Sequence, residues 1–214
     1  MKGLLTKDFL LMMQRKSYFM LILALGIMMN FTMENGFFIT GWMVAIMSLF
    51  SISTMSYDEY DNGLPFLMTL PIYRRTYALE KYLFSFICGS GAWVVSMLLI
   101  LIRAIVNGNN INILEELMGT VVIVPIALIY LSTCLPFNFK FGVEKGRMIL
   151  FIECGVIVLI PLLVSKIFPD YIKLKAVFDS LGMAGLGIML LILCIIIAAA
   201  SVVVSCKIMD NKEY

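Results

Sequence analysis

The chain has 214 residues, of which 62% are hydrophobic and only 14% charged, and its mean hydropathy is +1.00. A soluble domain is about half apolar and about a quarter charged, so the excess apolar surface here must face lipid and the chain is an integral membrane protein. The absence of histidine excludes imidazole-based zinc sites, imidazole acid–base schemes and a Ser-His-Asp triad, and the net charge of +2 points to no nucleic-acid partner.

In chain order, residues 1–16 place Leu5, Phe9, Met12 and Met13 on one helical stripe, with Lys7 and Gln14 away from it. That pattern predicts an amphipathic elbow helix lying in the headgroup plane. A cleaved signal peptide is the rival, weakened by Asp8, Arg15 and Lys16 within the run. Six apolar runs then approach or exceed the roughly 20 residues that cross about 30 Å of hydrocarbon. They cover 17–33, 37–57, 79–106, 117–135, 148–168 and 181–206. In lipid each backbone polar group must be satisfied within its own segment, so these runs are helices. The expected fold is an all-α membrane protein, a single domain over 1–214.

Between the second and third runs lies a polar island, residues 56–75, with Asp58, Glu59, Asp61, Asn62, Arg74 and Arg75 around two prolines. Asp61 or Asn62 can cap a helix, Pro65 fits its first turn, and Pro71 limits it to about two turns. Within it Leu64, Leu67 and Met68 share a face, leaving Pro65, Phe66 and Thr69 elsewhere. A helix this short is marginal alone and needs a partner surface, with Leu64, Leu67 and Met68 the residues expected to dock on it. The alternative is a re-entrant or interfacial loop that merely turns the chain.

With the N-terminus inside, twelve of the sixteen Lys and Arg fall on the cytoplasmic side, which predicts cytoplasmic termini and a cytoplasmic 56–75 stretch. Arg103, near the outer end of the third run, is expected to snorkel to the interface. Glu115 and Glu116 open the fourth run, which Pro125 should kink. Residues 136–147 read as a second cytoplasmic loop, either a simple connector or a secondary docking surface. Glu153 lies six residues past Arg147, about 9 Å deeper in a continuous helix. It is a candidate for lining a translocation pathway, the alternative being a reach back toward Arg147 or the headgroups. Residues 169–180 read as a short outer interfacial helix before the last span. The five cysteines have no paired spacing and read as packing residues. No catalytic or metal-ligating set emerges, and no Gly-x-x-x-x-Gly-Lys-[Ser/Thr] loop is present to cradle phosphates.

The N-terminal helix, the six runs and above all the segment from Tyr57 to Ile72, followed by Arg74-Arg75-Thr76-Tyr77, resemble the permease subunits of type-2 ABC exporters. Within that group the chain is similar to bacterial exporters of phenol-soluble modulins, which are amphipathic cytolytic peptides. The resemblance implies a permease that dimerises and engages two copies of a separate ATPase carrying ATP and Mg. It also implies a coupling helix over Asp61 to Leu70, flanked by Tyr57, Asp58, Glu59, Arg74 and Arg75. The chain departs from members with a large external module, since its outer loops are short. The competing classes are a peptide or antibiotic immunity or sensor protein without transport, and an intramembrane enzyme using Glu115, Glu116 and Glu153.

Overall fold

The computed structural model describes residues 1–33, 35–60, 63–107, 113–146, 148–149, 152–153, 155–156, 159 and 171–212, with the backbone path alone for 107, 113–115 and 171–190. Among the described residues every regular element is a helix. In chain order they are α1 (Lys2–Gln14), α2 (Lys16–Thr32), α3 (Gly36–Glu59), α4 (Gly63–Thr69), α5 (Arg74–Asn107), α6 (Ile113–Val121), α7 (Ile123–Phe141) and α8 (Tyr171–Asp210). Among the described residues four stretches, Gly36–Glu59, Arg74–Val106, Glu116–Phe141 and Leu191–Asp210, are long and apolar enough to cross a bilayer. The pair α1 and α2, bent by 68° at Arg15, adds a fifth if counted together. Most of the expected span 148–168 lies outside the described residues, although those described between 148 and 159 are helical.

The local chemistry accounts for most of these boundaries. Asn35 caps α3 by accepting from the Phe37 N–H at 3.1 Å. Pro125 has no N–H to offer the carbonyl of Val121, and the break between α6 and α7 falls at Val122. Gly142 ends α7 with a φ of 81°, a left-handed conformation that costs glycine nothing.

Of the Leu5–Phe9–Met12–Met13 stripe expected on α1, Leu5 and Met12 pack against the cluster of Phe50, Phe84 and Cys88, and Phe9 touches Phe84 edge-on at 5.5 Å between ring centroids, while Met13 is exposed. Leu4 and Asp8 are the buried residues of this helix, which packs against α5. Two expectations about elements are corrected.

Residues 136–141, expected to begin a loop, continue α7 with Pro136 inside the helix. The carbonyl that Pro136 leaves without a partner, that of Ser132, accepts from Ser201 Oγ of α8 at 2.5 Å. A side chain on a neighbouring helix thus restores the missing hydrogen bond, which is how a proline survives within a span. The Tyr82 hydroxyl completes this junction, bonding Ser201 at 2.5 Å and Ser205 at 2.8 Å.

Residues 171–180 do not form a separate interfacial helix either, since α8 runs unbroken from Tyr171 to Asp210. No proline lies within it to stop the hydrogen-bond ladder.

Helices α3 and α5, and α7 and α8, pack most extensively on each other. The largest buried cluster gathers Leu4, Ile52, Met55, Leu64, Tyr77, Leu135, Phe139 and Met209 at the end of the bundle that carries α4. Large side chains such as Met20, Met28, Leu98, Ile105, Ile195 and Val203 are exposed and give the bundle an apolar exterior. The described cysteines, Cys88, Cys134, Cys194 and Cys206, are free.

Candidate coupling site

Helix α4 has the two turns that Pro65 and Pro71 allow, and its position shows what each face does. Leu64 is 5% exposed and belongs to the large buried cluster, with Leu67 and Met68 packed against that cluster. The surface this marginal helix needs is therefore supplied by the chain itself. Pro65, Phe66, Thr69 and Leu70 turn outward, Phe66 being 70% exposed, with Tyr60 and Tyr73 exposed on either side. Gly63 fixes the approach, since a Cβ there would stand 2.8 Å from the Asp58 carbonyl oxygen. Asp61 and Asn62, the expected cap, lie outside the described residues.

Beneath α4 is a cluster of buried charge. The Lys81 ammonium, 1% exposed, donates to Asp8 at 2.5 Å, approaches Asp58 at 2.9 Å and donates to the Thr54 hydroxyl at 3.1 Å. The Tyr77 hydroxyl donates to Asp58 at 3.0 Å, and Lys7 donates to the other Asp58 oxygen. These residues tie α1, α3 and α5 together where α3 hands over to α4. Glu80 is also fully buried here, 4.0 Å from Lys81. Paired in this way, the charges offset part of the several kcal/mol per ion that burial costs.

Of the remaining predicted residues, Glu59 accepts from the Val143 N–H at 2.9 Å and so clamps the end of α7. Arg74 donates to the carbonyls of Asp210 at 3.1 Å and Lys212 at 2.7 Å. Arg75 pairs with the Asp210 carboxylate at 2.6 Å, which pins the end of α8 beside the exit from α4. Asp58, Glu59, Arg74 and Arg75 thus all engage the chain's own elements, and Asp58 is buried. Glu153 accepts from the Thr133 hydroxyl, and Cys134 Sγ lies 3.9 Å away. It is half-buried between these two residues of α7.

Arg103 does not snorkel. It is 2% exposed, forms a two-pronged pair with Glu116 of α6 and donates to the Met33 carbonyl at 2.7 Å just past the end of α2. Lys81 and Arg103 stand 22 residues apart on α5, about 33 Å along a helix, close to the thickness of the hydrocarbon layer. The two ionic clusters therefore lie about one hydrocarbon thickness apart along α5. Sequence reading missed both. The available signal was a charge of each sign near each end of the runs, Asp8 and Asp58 with Lys81, and Glu116 with Arg103.

The fold defines a multi-pass helical membrane protein with a short, braced helix between two of its candidate spans. A family model described as ABC-2 family transporter protein matches residues 3–210, nearly the whole chain, and the protein belongs to that family. It is therefore a membrane transport component, of a kind that generally works with an ATPase subunit. No curated protein and no solved structure gave a significant match.

Proposed function

We propose that the chain is the permease subunit of an ATP-driven exporter, and that α4 is the coupling helix on which a separate ATPase acts. The observation that carries this reading is the division of α4 into two faces. Leu64, Leu67 and Met68 lock it to the bundle, while Phe66, Pro65 and Leu70 face outward with Tyr60 and Tyr73. Exposed aromatics around a rigid support are the anchors that protein interfaces favour.

In this reading the N- and C-termini are cytoplasmic and the ATPase binds ATP and Mg. Force applied at Phe66 passes through Leu64 to the core, through Asp58 and Lys81 to α1 and α5, and through Glu59 to α7. The ATPase biases the bundle only to the extent that it holds α4 differently in its two states. Two permease copies and two ATPase copies complete the assembly. Its cargo is amphipathic or hydrophobic, with cytolytic peptides of the phenol-soluble modulin type as the leading class. Glu153 is the candidate polar residue along the route.

The test is co-purification with a P-loop ATPase from the native membrane, followed by ATP-dependent uptake of such peptides into inverted vesicles. Phe66→Asp should abolish both ATPase association and uptake. An ATPase that remains bound and stimulated with Phe66→Asp would remove α4 as the coupling element.

A further inference from the structure

At the bend between α1 and α2, a pocket of about 330 Å³ opens between Arg15, Tyr18, Leu49, Phe50, Ser53 and Tyr57. Its lining changes character with depth. Arg15 Nη2 donates to the Tyr57 hydroxyl at 2.9 Å, and the guanidinium lies 5.7 Å from the centre of the Tyr57 ring. Ser53 is one turn further along α3, and Leu49 and Phe50 about two turns, close to 12 Å deeper. Tyr57 adjoins Asp58, whose partner Lys81 stands about 33 Å along α5 from Arg103, close to one hydrocarbon thickness. A bilayer spanning the stretch between those two cations would put the mouth of the pocket at headgroup depth and its floor within the hydrocarbon.

The charge is one-sided. Among the described residues Arg15 makes no ion pair, the lining contains no acid, and the adjoining Lys16 is exposed. One hydrogen bond to Tyr57 leaves most of the five guanidinium N–H donors for a ligand. We infer that this pocket binds the headgroup of an anionic phospholipid, its phosphate on Arg15 and Tyr57, its glycerol region beside Ser53 and an acyl chain along Leu49 and Phe50. A lipid suits the site because the anion-binding mouth and the apolar floor are continuous, whereas a free phosphate has no use for the floor. This inference requires only that the chain spans a membrane, and it stands apart from the transport reading.

The test uses the full chain reconstituted in vesicles of equal parts phosphatidylcholine and phosphatidylglycerol, with spin-labelled lipids reporting which are held at the protein surface. Arg15→Gln should lower the preference for phosphatidylglycerol about fivefold, the effect of one cation near an anionic surface. Arg75→Gln, which removes an exposed cation elsewhere, should leave it unchanged. Because Arg15 lies at a helix bend, Tyr57→Phe is the second variant. It keeps the ring, removes the hydroxyl and should also weaken the preference. The proposal is overturned if both variants at the pocket keep the wild-type preference, if Arg75→Gln loses as much, or if inorganic phosphate displaces the bound lipid as well as phosphatidylglycerol does.

Discussion

Lys81 and Asp8 are 73 positions apart in sequence, yet their side chains meet at 2.5 Å and are 1% and 0% exposed. This contact joins the N-terminal helix to the start of α5 beneath the proposed coupling helix. It is not a simple pair, because Lys81 also serves Asp58, which in turn holds Lys7.

That sharing predicts an order of effects. Lys81→Met leaves Asp8 and Asp58 without their common cation, and should cost about 3–5 kcal/mol as a broken buried ion pair. Asp8→Asn leaves Lys81 paired with Asp58 and should cost clearly less. Reversible unfolding in detergent gives both values, and equal losses would mean that Lys81 does not link the two acids.

The two faces of α4 should separate stability from partnership. Leu64→Ala empties a buried site and should destabilise the protein by about 2–5 kcal/mol. Phe66→Ala changes an exposed side chain and should leave stability within about 0.5 kcal/mol. If the ATPase docks as proposed, Phe66→Ala should weaken its binding by about 1–2 kcal/mol. Titrating ATPase onto the reconstituted permease, alongside thermal unfolding, measures the two effects independently.

What could be read from the chain, and what could not, follows from the range of each interaction. The length of α4 was legible because Pro65 and Pro71 act on their own backbone. The shared face of Leu64, Leu67 and Met68 was legible from spacing. That their own bundle covers this face was not, since Tyr77, Leu135 and Met209 arrive from distant segments. Arg103 read as a snorkelling residue because Glu116 and the Met33 carbonyl are brought to it by folding. Pro136 read as the start of a loop for the same reason, its compensation coming from Ser201 on another helix. Helix existence is a local property of apolar runs, whereas the pairing of charges and freed carbonyls belongs to the packed bundle.

The Arg103 cluster predicts that lysine is a poor replacement. Arginine holds both Glu116 oxygens with one guanidinium and has a second nitrogen for the Met33 carbonyl. An ammonium is a point charge on a shorter stem and cannot span these acceptors at once. Arg103→Lys should therefore lose about 1–3 kcal/mol, the cost of leaving buried acceptors without donors. Stability equal to wild type would show that charge alone suffices there.

The proline junction yields a stricter test, because its logic requires a rescue. Ser201→Ala removes the donor to the Ser132 carbonyl, which Pro136 cannot replace, and should cost about 1–3 kcal/mol as a buried acceptor loses its partner. Pro136→Ala gives position 136 an N–H that can bond the Ser132 carbonyl within α7 itself. In that background Ser201→Ala should cost much less, since the carbonyl no longer depends on α8. Part of the Ser201 effect also passes through Tyr82, which bonds both Ser201 and Ser205. Tyr82→Phe separates that part, because it removes the hydroxyl and leaves the Ser201 donor to Ser132 intact. A double-mutant cycle between positions 136 and 201 should thus show a coupling of about 1 kcal/mol or more, as expected for residues sharing one hydrogen-bond acceptor. Additive losses would mean that Ser201 stabilises the bundle by some route other than completing the helix that Pro136 interrupts.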